Sequence, residues 1–483
     1  MGVTTQVVIV GAGAAGMAAA SRLAERGITD FLILEAEDRI GGRIHSTVFG
    51  GHTVDKGGQW VHGERGNVVF EMAAPLGLLR DCSVPLASGG IVADGSGRRV
   101  DPDEARLFLG ILQAIDSEQE QAMRMFPGSI LDFYLQEYKR RLRAEGVDYE
   151  SSRLAEPFFQ LFCRLQESVD GCDSWTQQSS RGSREYWTCE GNLMLGWKSG
   201  GYHSVIDLLT KRFPDASAEL PVRSKVCLNK EVTSVQWEGQ HQVVTSCADG
   251  SVYLSDHVLV TVSLGVLKDK CQTLFQPRLP AYKLTAIQGL GIGTVDKIFL
   301  LFPHEWWTNE EKVFSIVWTR EAIQAFRLEQ DDGRRWLQDV FCFHPVDGAP
   351  STLMAWVVGR SARHMESLPL PAVLHGCTEL LQFFFGQLYD IPPALQVDRS
   401  TWGTNKHFRG SYSYRGVDSV ATGATPALLA HPLVDSQGKP AVLFAGEATH
   451  EHYFSTVHGA VETGFREAER LAALCGAPGS SSE

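Results

Sequence analysis

The chain has no surplus of positive charge: 44 Lys and Arg stand against 57 Asp and Glu, a formal net charge of -13. A nucleic-acid partner is therefore not expected, since such proteins carry a basic patch, whereas surplus carboxylate favours cationic ligands or serves solubility. Cysteine pairs are missing too. The ten cysteines show neither CxxC spacing nor histidine clustering, so neither a zinc site nor a redox dithiol is signalled, and buried thiols in a reducing compartment are expected. No apolar stretch reaches the roughly 18–20 residues that a membrane span needs. The N-terminus passes straight into VVIV without the basic region of a secretory signal. The final residues, SSE, differ from the SKL-type peroxisomal address. These absences predict a soluble cytoplasmic protein without a membrane span, a monomer or weak dimer, with no metal site.

What is present is length and glycine. A chain of 483 residues exceeds what one hydrophobic core usually organises, so two domains, or one with large insertions, are expected. With 43% hydrophobic residues and 48 glycines, it can bury a sizeable core and has many places where backbone must bend or approach something closely.

The sharpest pattern is at the N-terminus. QVVIV, residues 6–10, reads as a buried parallel strand; Gly11, Gly13 and Gly16 then make GAGAAG, with Ala15 also expected to bind cofactor, and MAAASRLAERG continues as a small-residue helix to about Gly27. A second strand, FLILE, ends in Glu35. Strand, glycine turn, helix, strand and acid fall at the spacing of a dinucleotide site: tight turn at Gly11, backbone approach to a pyrophosphate at Gly13, close packing at Gly16, and Glu35 on the ribose hydroxyls. The phosphates would rest on the helix N-terminus, where unpaired amides and the dipole favour an anion. In the following AEDRIGGRIHS, Arg43 can reach back to the same pyrophosphate as a charge-assisted donor.

Beyond this unit, apolar residues at helical spacing over 103–126, 129–145 and 155–168 suggest a helical insertion, followed by short alternating strands such as VTSVQW and SVYLSDHVLVTV. The interleaving predicts an α/β fold: a Rossmann-like cofactor domain of discontinuous segments, 1–75, 205–295 and 425–475, with an inserted α+β substrate-binding domain, 76–204 and 296–424, and a disordered tail at 476–483.

GAGAAG, LEAEDRIGGR and DKGGQWVHG at residues 55–63 together resemble the flavin-containing amine oxidases, and SDHVLVTVSLGVLKDK and LGIGTVDKIFLLF resemble landmarks of the polyamine oxidase branch. Relatives often have proline where this chain has Ser263. The resemblance implies noncovalent FAD, because RGSYSY has no cysteine at the position where monoamine oxidases attach the flavin. It places Gln59, the backbone of Val232, Trp402, Glu447, Thr456 and Val457 around that cofactor. It makes Lys297 the lysine that holds a water against the flavin, the alternative being a structural lysine that snorkels. His62 is expected to orient substrate or handle a proton, and Tyr412 and Tyr453 to form aromatic walls for an alkylammonium, the alternative being ordinary core packing. Asp296, beside Lys297, is a candidate for a second ammonium. The expected reaction is oxidation of a polyamine by molecular oxygen through the flavin. A monoamine-type oxidase and a noncatalytic amine-binding flavoprotein are the alternatives.

Overall fold

The N-terminal strand Val3–Val10 buries Val7, Val8 and Ile9 completely, and this apolar run lies between two parallel partners. Val8 faces Leu32 of Phe31–Leu34 on one side and Val258 of Val252–Val260 on the other, so both faces of the strand must be covered. A strand apolar throughout is what such a position selects. The described residues of this computed structural model are 2–82, 90–118, 120–238, 242–308, 311–328 and 332–476; of the tail expected at 476–483, all but Gly476 lies outside them.

Two sheets organise the chain. The larger runs, in spatial order, Phe275–Gln276, Val232–Gln236, Val243–Cys247, Val252–Val260, Val3–Val10, Phe31–Leu34 and Val226–Cys227. Val252–Val260 uses its outer edge twice: its first half pairs antiparallel with Val243–Cys247 and its second half pairs parallel with Pro440–Phe444. The C-terminal segment is thereby brought beside the N-terminal glycine turn.

Helix Ala14–Glu25 covers this sheet and packs against the last helix, Val457–Leu474. Small residues permit the approach, since a Cβ on Gly464 would stand 2.3 Å from the Ala15 carbonyl oxygen. Gly16 has the same constraint within the turn: its Cβ would lie 2.0 Å from the Gly11 oxygen. Ser263 caps Leu264–Lys270, its hydroxyl accepting the Val266 N–H at 3.1 Å, so serine performs here a helix-starting task that a proline can also perform.

The second sheet has the order Gln396–Arg399, Val295–Leu301, Thr352–Val358, Cys342–Pro345, Val313–Ile316 and Gly90–Ala93. Helices Pro102–Glu118, Ile130–Ala144 and Ala155–Asp170 form a layer with their own aromatic core. Within Val295–Leu301 the residues Ile298, Phe299 and Leu300 are fully buried, each contributing about 1.5–3 kcal/mol. That apolar run fixes the register, and the register in turn carries Lys297 inside with it.

Candidate active site

One cavity of about 1170 Å³ extends from the glycine turn into the second sheet and the helical layer. Its first end is made of Gly11, Gly13, Ala15, Glu35, Arg43 and Val232. Gly11 has φ +107, and a Cβ there would also meet the Thr261 hydroxyl at 2.7 Å, so only glycine turns the chain without strain. The following helix has no side-chain cap at Gly13, which leaves its first-turn amides and dipole to an anion in the cavity. Gly16 stays out of the cavity wall; its contribution is the close packing described above.

Glu35 is buried, and desolvation raises its pKa while two backbone bonds oppose the rise. Its carboxylate accepts the Ala12 N–H at 2.7 Å and the Glu37 N–H at 2.9 Å, which fixes it with lone pairs to spare. Sequence reasoning missed the groups beside it. His407 Nδ1 lies 2.6 Å from Glu37 Oε1 and Lys406 Nζ 2.6 Å from Glu231 Oε2, joining the segment after Trp402 to the strand region around Val232. Only their distant chain positions concealed this.

Arg43 and Glu447 form a clamp where three segments meet. Arg43 Nη1 donates to Glu447 Oε1 at 2.9 Å and to the Ser411 carbonyl at 2.7 Å. Glu447 Oε2 also accepts the Ser413 hydroxyl at 2.6 Å and the Ser455 N–H at 2.8 Å. Thr456 caps the last helix through the Gly459 N–H at 3.0 Å, and Thr456 and Val457 both line the cavity.

Further in stands Lys297, 3% exposed. Its Nζ donates to the carbonyls of Asp55 and Gly57, each at 2.8 Å, and to Gln59 Oε1 at 2.7 Å. Burial lowers its pKa to about 7, with Asp55 opposing; a displacement of this size costs on the order of 5 kcal/mol, less than the apolar residues of its strand return. A snorkelling lysine would reach water; this one points its head at the cavity between aromatic rings. Nζ lies 5.0 Å from the Trp356 ring centroid and 5.9 Å from that of Trp60, and both rings were missed in the sequence. Trp402, buried, donates its indole N–H to the Lys56 carbonyl at 3.1 Å and lines the same region.

Asp296 has a different place from the one expected. It is fully buried and off the cavity wall, accepting the Ser400 hydroxyl at 2.6 Å. Burial and the neighbouring Glu366 raise its pKa well above the carboxylate range. Alternation along a strand puts residues 296 and 297 on opposite faces, so Asp296 braces the Trp402 segment and does not meet substrate.

His62 and Tyr412 both line the cavity. His62 Nδ1 lies 2.7 Å from the Leu193 carbonyl; a carbonyl only accepts, so Nδ1 carries the proton and Nε2 is left as an acceptor. Burial lowers the His62 pKa, which favours that neutral form. Tyr412 donates its hydroxyl to the Ser168 carbonyl, and its ring packs against Gly171, where a Cβ would come within 2.3 Å.

Tyr453 is a correction. It is not among the lining residues; its ring packs 5.0 Å from His450 and 4.9 Å from His458. The turn accounts for this, because His450 Nδ1 accepts the Tyr453 N–H at 2.8 Å and Ser455 has φ +70. The cavity receives Phe454 instead, set edge-on to Tyr186 at 5.3 Å.

The family model described as flavin containing amine oxidoreductase matches residues 14–472. The peroxisomal N(1)-acetyl-spermine/spermidine oxidase of Homo sapiens is 32% identical, over 97% of this chain and 95% of its own length. This chain belongs to the flavin-containing amine oxidoreductases. Polyamine oxidase 1 of Oryza sativa subsp. japonica is 30% identical, with 96% of each chain covered. A solved structure of a putrescine oxidase with redesigned cofactor binding, 18% identical, superposes with a TM-score of 0.65 over 98% of this chain and all of that one.

The protein is thus an FAD-dependent amine oxidase with an FAD-binding Rossmann-like part and a substrate-binding part. The residues present fit FAD: a glycine turn that no Cβ could enter, an uncapped helix N-terminus and a fixed carboxylate all border one elongated cavity. Among the described residues, no helix is long and apolar enough to cross a membrane.

Proposed function

We propose that this amine oxidase acts on polyamines, namely spermine, free or N1-acetylated, or N1-acetylated spermidine. The bond oxidised lies between a secondary nitrogen and its neighbouring carbon: R–CH2–NH–R′ with O2 and water gives the aldehyde R–CHO, the primary amine of R′ and hydrogen peroxide. The reading is carried by one observation, the continuity of a single cavity from the glycine turn to Lys297, Tyr412 and His62, which gives cofactor and a long amine a shared chamber. The names of the human and rice relatives support it.

FAD, when bound, supplies the two-electron acceptor that oxygen regenerates. Gly11, Gly13, Ala15, Glu35, Arg43, Val232 and Glu447 would hold it, with Gln59, Trp402, Thr456 and Val457 beside it. RGSYSY lacks the cysteine by which the monoamine oxidases it resembles attach the flavin, which supports noncovalent attachment; denaturation should then release the flavin. A carbon next to nitrogen gives up hydride only when the nitrogen has its lone pair, so the substrate must shed a proton in the cavity. His62 Nε2 accepts that proton or the hydrogen bond that precedes its loss, and apolar surroundings lower an amine's pKa by desolvation. Tyr412 offers an aromatic face to the cation before deprotonation, worth about 0.5–2 kcal/mol. As an ammonium Lys297 spends its three donors on Asp55, Gly57 and Gln59, so it would hold a water and move a proton as the neutral amine, whose lone pair accepts and which is populated near neutrality.

Anaerobic mixing of the purified flavoprotein with spermine and, separately, N1-acetylspermine tests the reading. Loss of the oxidised-flavin absorbance with either is expected. If neither bleaches a flavin that dithionite reduces, the polyamine reading fails.

A further inference from the structure

Where the helical layer next to Tyr412 lines the cavity, its wall carries polar groups that no part of the mechanism uses. Asp170 is the last residue of helix Ala155–Asp170, where the partial charge of the helix is already negative and a carboxylate is disfavoured. Its Oδ2 accepts the Trp175 indole N–H at 2.7 Å, and Gln178 adds a side-chain hydrogen bond. Among the described residues it makes no ion pair. The nearby Glu167 is already held by Arg164 at 2.6 Å, so that arginine is committed elsewhere. Asp116, which also lines the cavity, adds a second carboxylate and accepts the Tyr134 hydroxyl at 2.7 Å, with no ion pair among the described residues. Burial raises Asp170 to about 6, the direction expected of a carboxylate that lacks a positive neighbour.

A separate observation points the same way. Gln178 is 9% exposed, lines the cavity, and its side-chain oxygen has no hydrogen-bond partner. A buried amide oxygen left unpaired costs about 1–3 kcal/mol, and an N–H donor arriving in the cavity would remove that cost. An acceptor without a donor therefore stands beside a carboxylate without a cation.

We propose that Asp170 and Gln178 form a subsite for the far-end ammonium of the substrate, selecting amines whose second nitrogen is charged over those in which it is acylated. Ser168 and Gly171, which flank Asp170, both touch Tyr412. The subsite is therefore adjacent to the aromatic wall, and one flexible amine can engage both. This deepens the polyamine reading and rests on it.

The test mixes the oxidised holoenzyme anaerobically with increasing spermine or butylamine, a monoamine control, and takes the apparent Kd from the concentration dependence of flavin bleaching, or from calorimetry for an amine that does not bleach. Asp170→Asn keeps the volume and an acceptor for the Trp175 indole. It is expected to weaken spermine binding about 10- to 100-fold, the size of a lost charge-assisted hydrogen bond, with butylamine changed far less. Gln178→Met, which keeps the length of the side chain but removes the amide, is expected to weaken spermine with butylamine changed far less; it serves as the test if Asp170→Asn does not fold with flavin. If spermine bleaches the wild type and neither variant alters its binding, the subsite is wrong and the polyamine reading stands. Asp170-dependent binding of spermine without bleaching by any amine keeps the subsite and sinks the polyamine reading. Neither binding nor bleaching sinks both.

Discussion

Lys297 Nζ donates to Gln59 Oε1 across 2.7 Å, closing a set of three oxygen acceptors that includes the carbonyls of Asp55 and Gly57. These three oxygens all come from one segment, so the lysine ties the inserted sheet to the segment that borders the cofactor. Lys297→Met keeps the length of the stem and removes the donor. We expect slower flavin reduction and reoxidation in stopped-flow mixing, by on the order of 10²-fold, the usual size of a lost proton-handling group, with flavin still bound. Unaltered rates for both half-reactions would show that Lys297 is structural only.

The same lysine makes stability depend on pH with a definite sign. In the folded protein burial holds it to about 7, whereas an unfolded lysine titrates at about 10.4. Between those values the unfolded chain binds more protons than the folded one, so stability rises with pH across the window. The penalty for burying the ammonium is full below about pH 7 and is relieved as pH approaches about 10.4. Melting temperatures of wild type and Lys297→Met, measured from about pH 6 to about pH 9, should therefore diverge in favour of the wild type as pH increases. A constant difference across that range would mean that Lys297 is not held near neutrality.

The first 35 residues were legible because each step there is local: an apolar run, glycines, small helical residues and an acid at fixed spacing. The burial of Lys297 was half legible, since IFLLF announces a strand that cannot be exposed, but its three oxygen partners are about 240 residues away and leave no mark nearby. Asp296 was readable and misread, because strand alternation alone separates it from Lys297. Tyr453 was not readable. Its direction depends on a turn set by His450 and by the positive φ of Ser455, and adjacent aromatics in a turn give no period from which to choose the inward one. The Asp170–Gln178 pair was hidden for a different reason: Asp170 ends a helix and Gln178 lies in the segment after it, and helical spacing reports packing and says nothing about which polar groups lack partners.

His62 carries the last prediction, which separates an acceptor from a titrating group. With Nδ1 committed to the Leu193 carbonyl, only Nε2 can meet the substrate, and it can accept only while the ring is neutral. Burial lowers the His62 pKa, so protonation of the ring should cut kcat/KM for a polyamine at a pH below the ordinary histidine range of about 6.5. His62→Gln retains a side-chain oxygen as acceptor but cannot titrate. It should keep more activity than His62→Ala and lose the acid limb that His62 contributes to the pH profile. His62→Ala should lower kcat/KM by about 10- to 100-fold, the cost of one hydrogen bond to a charged group. An acid limb that survives unchanged in His62→Gln would assign it to the amine or to another residue, leaving His62 an orienting role alone.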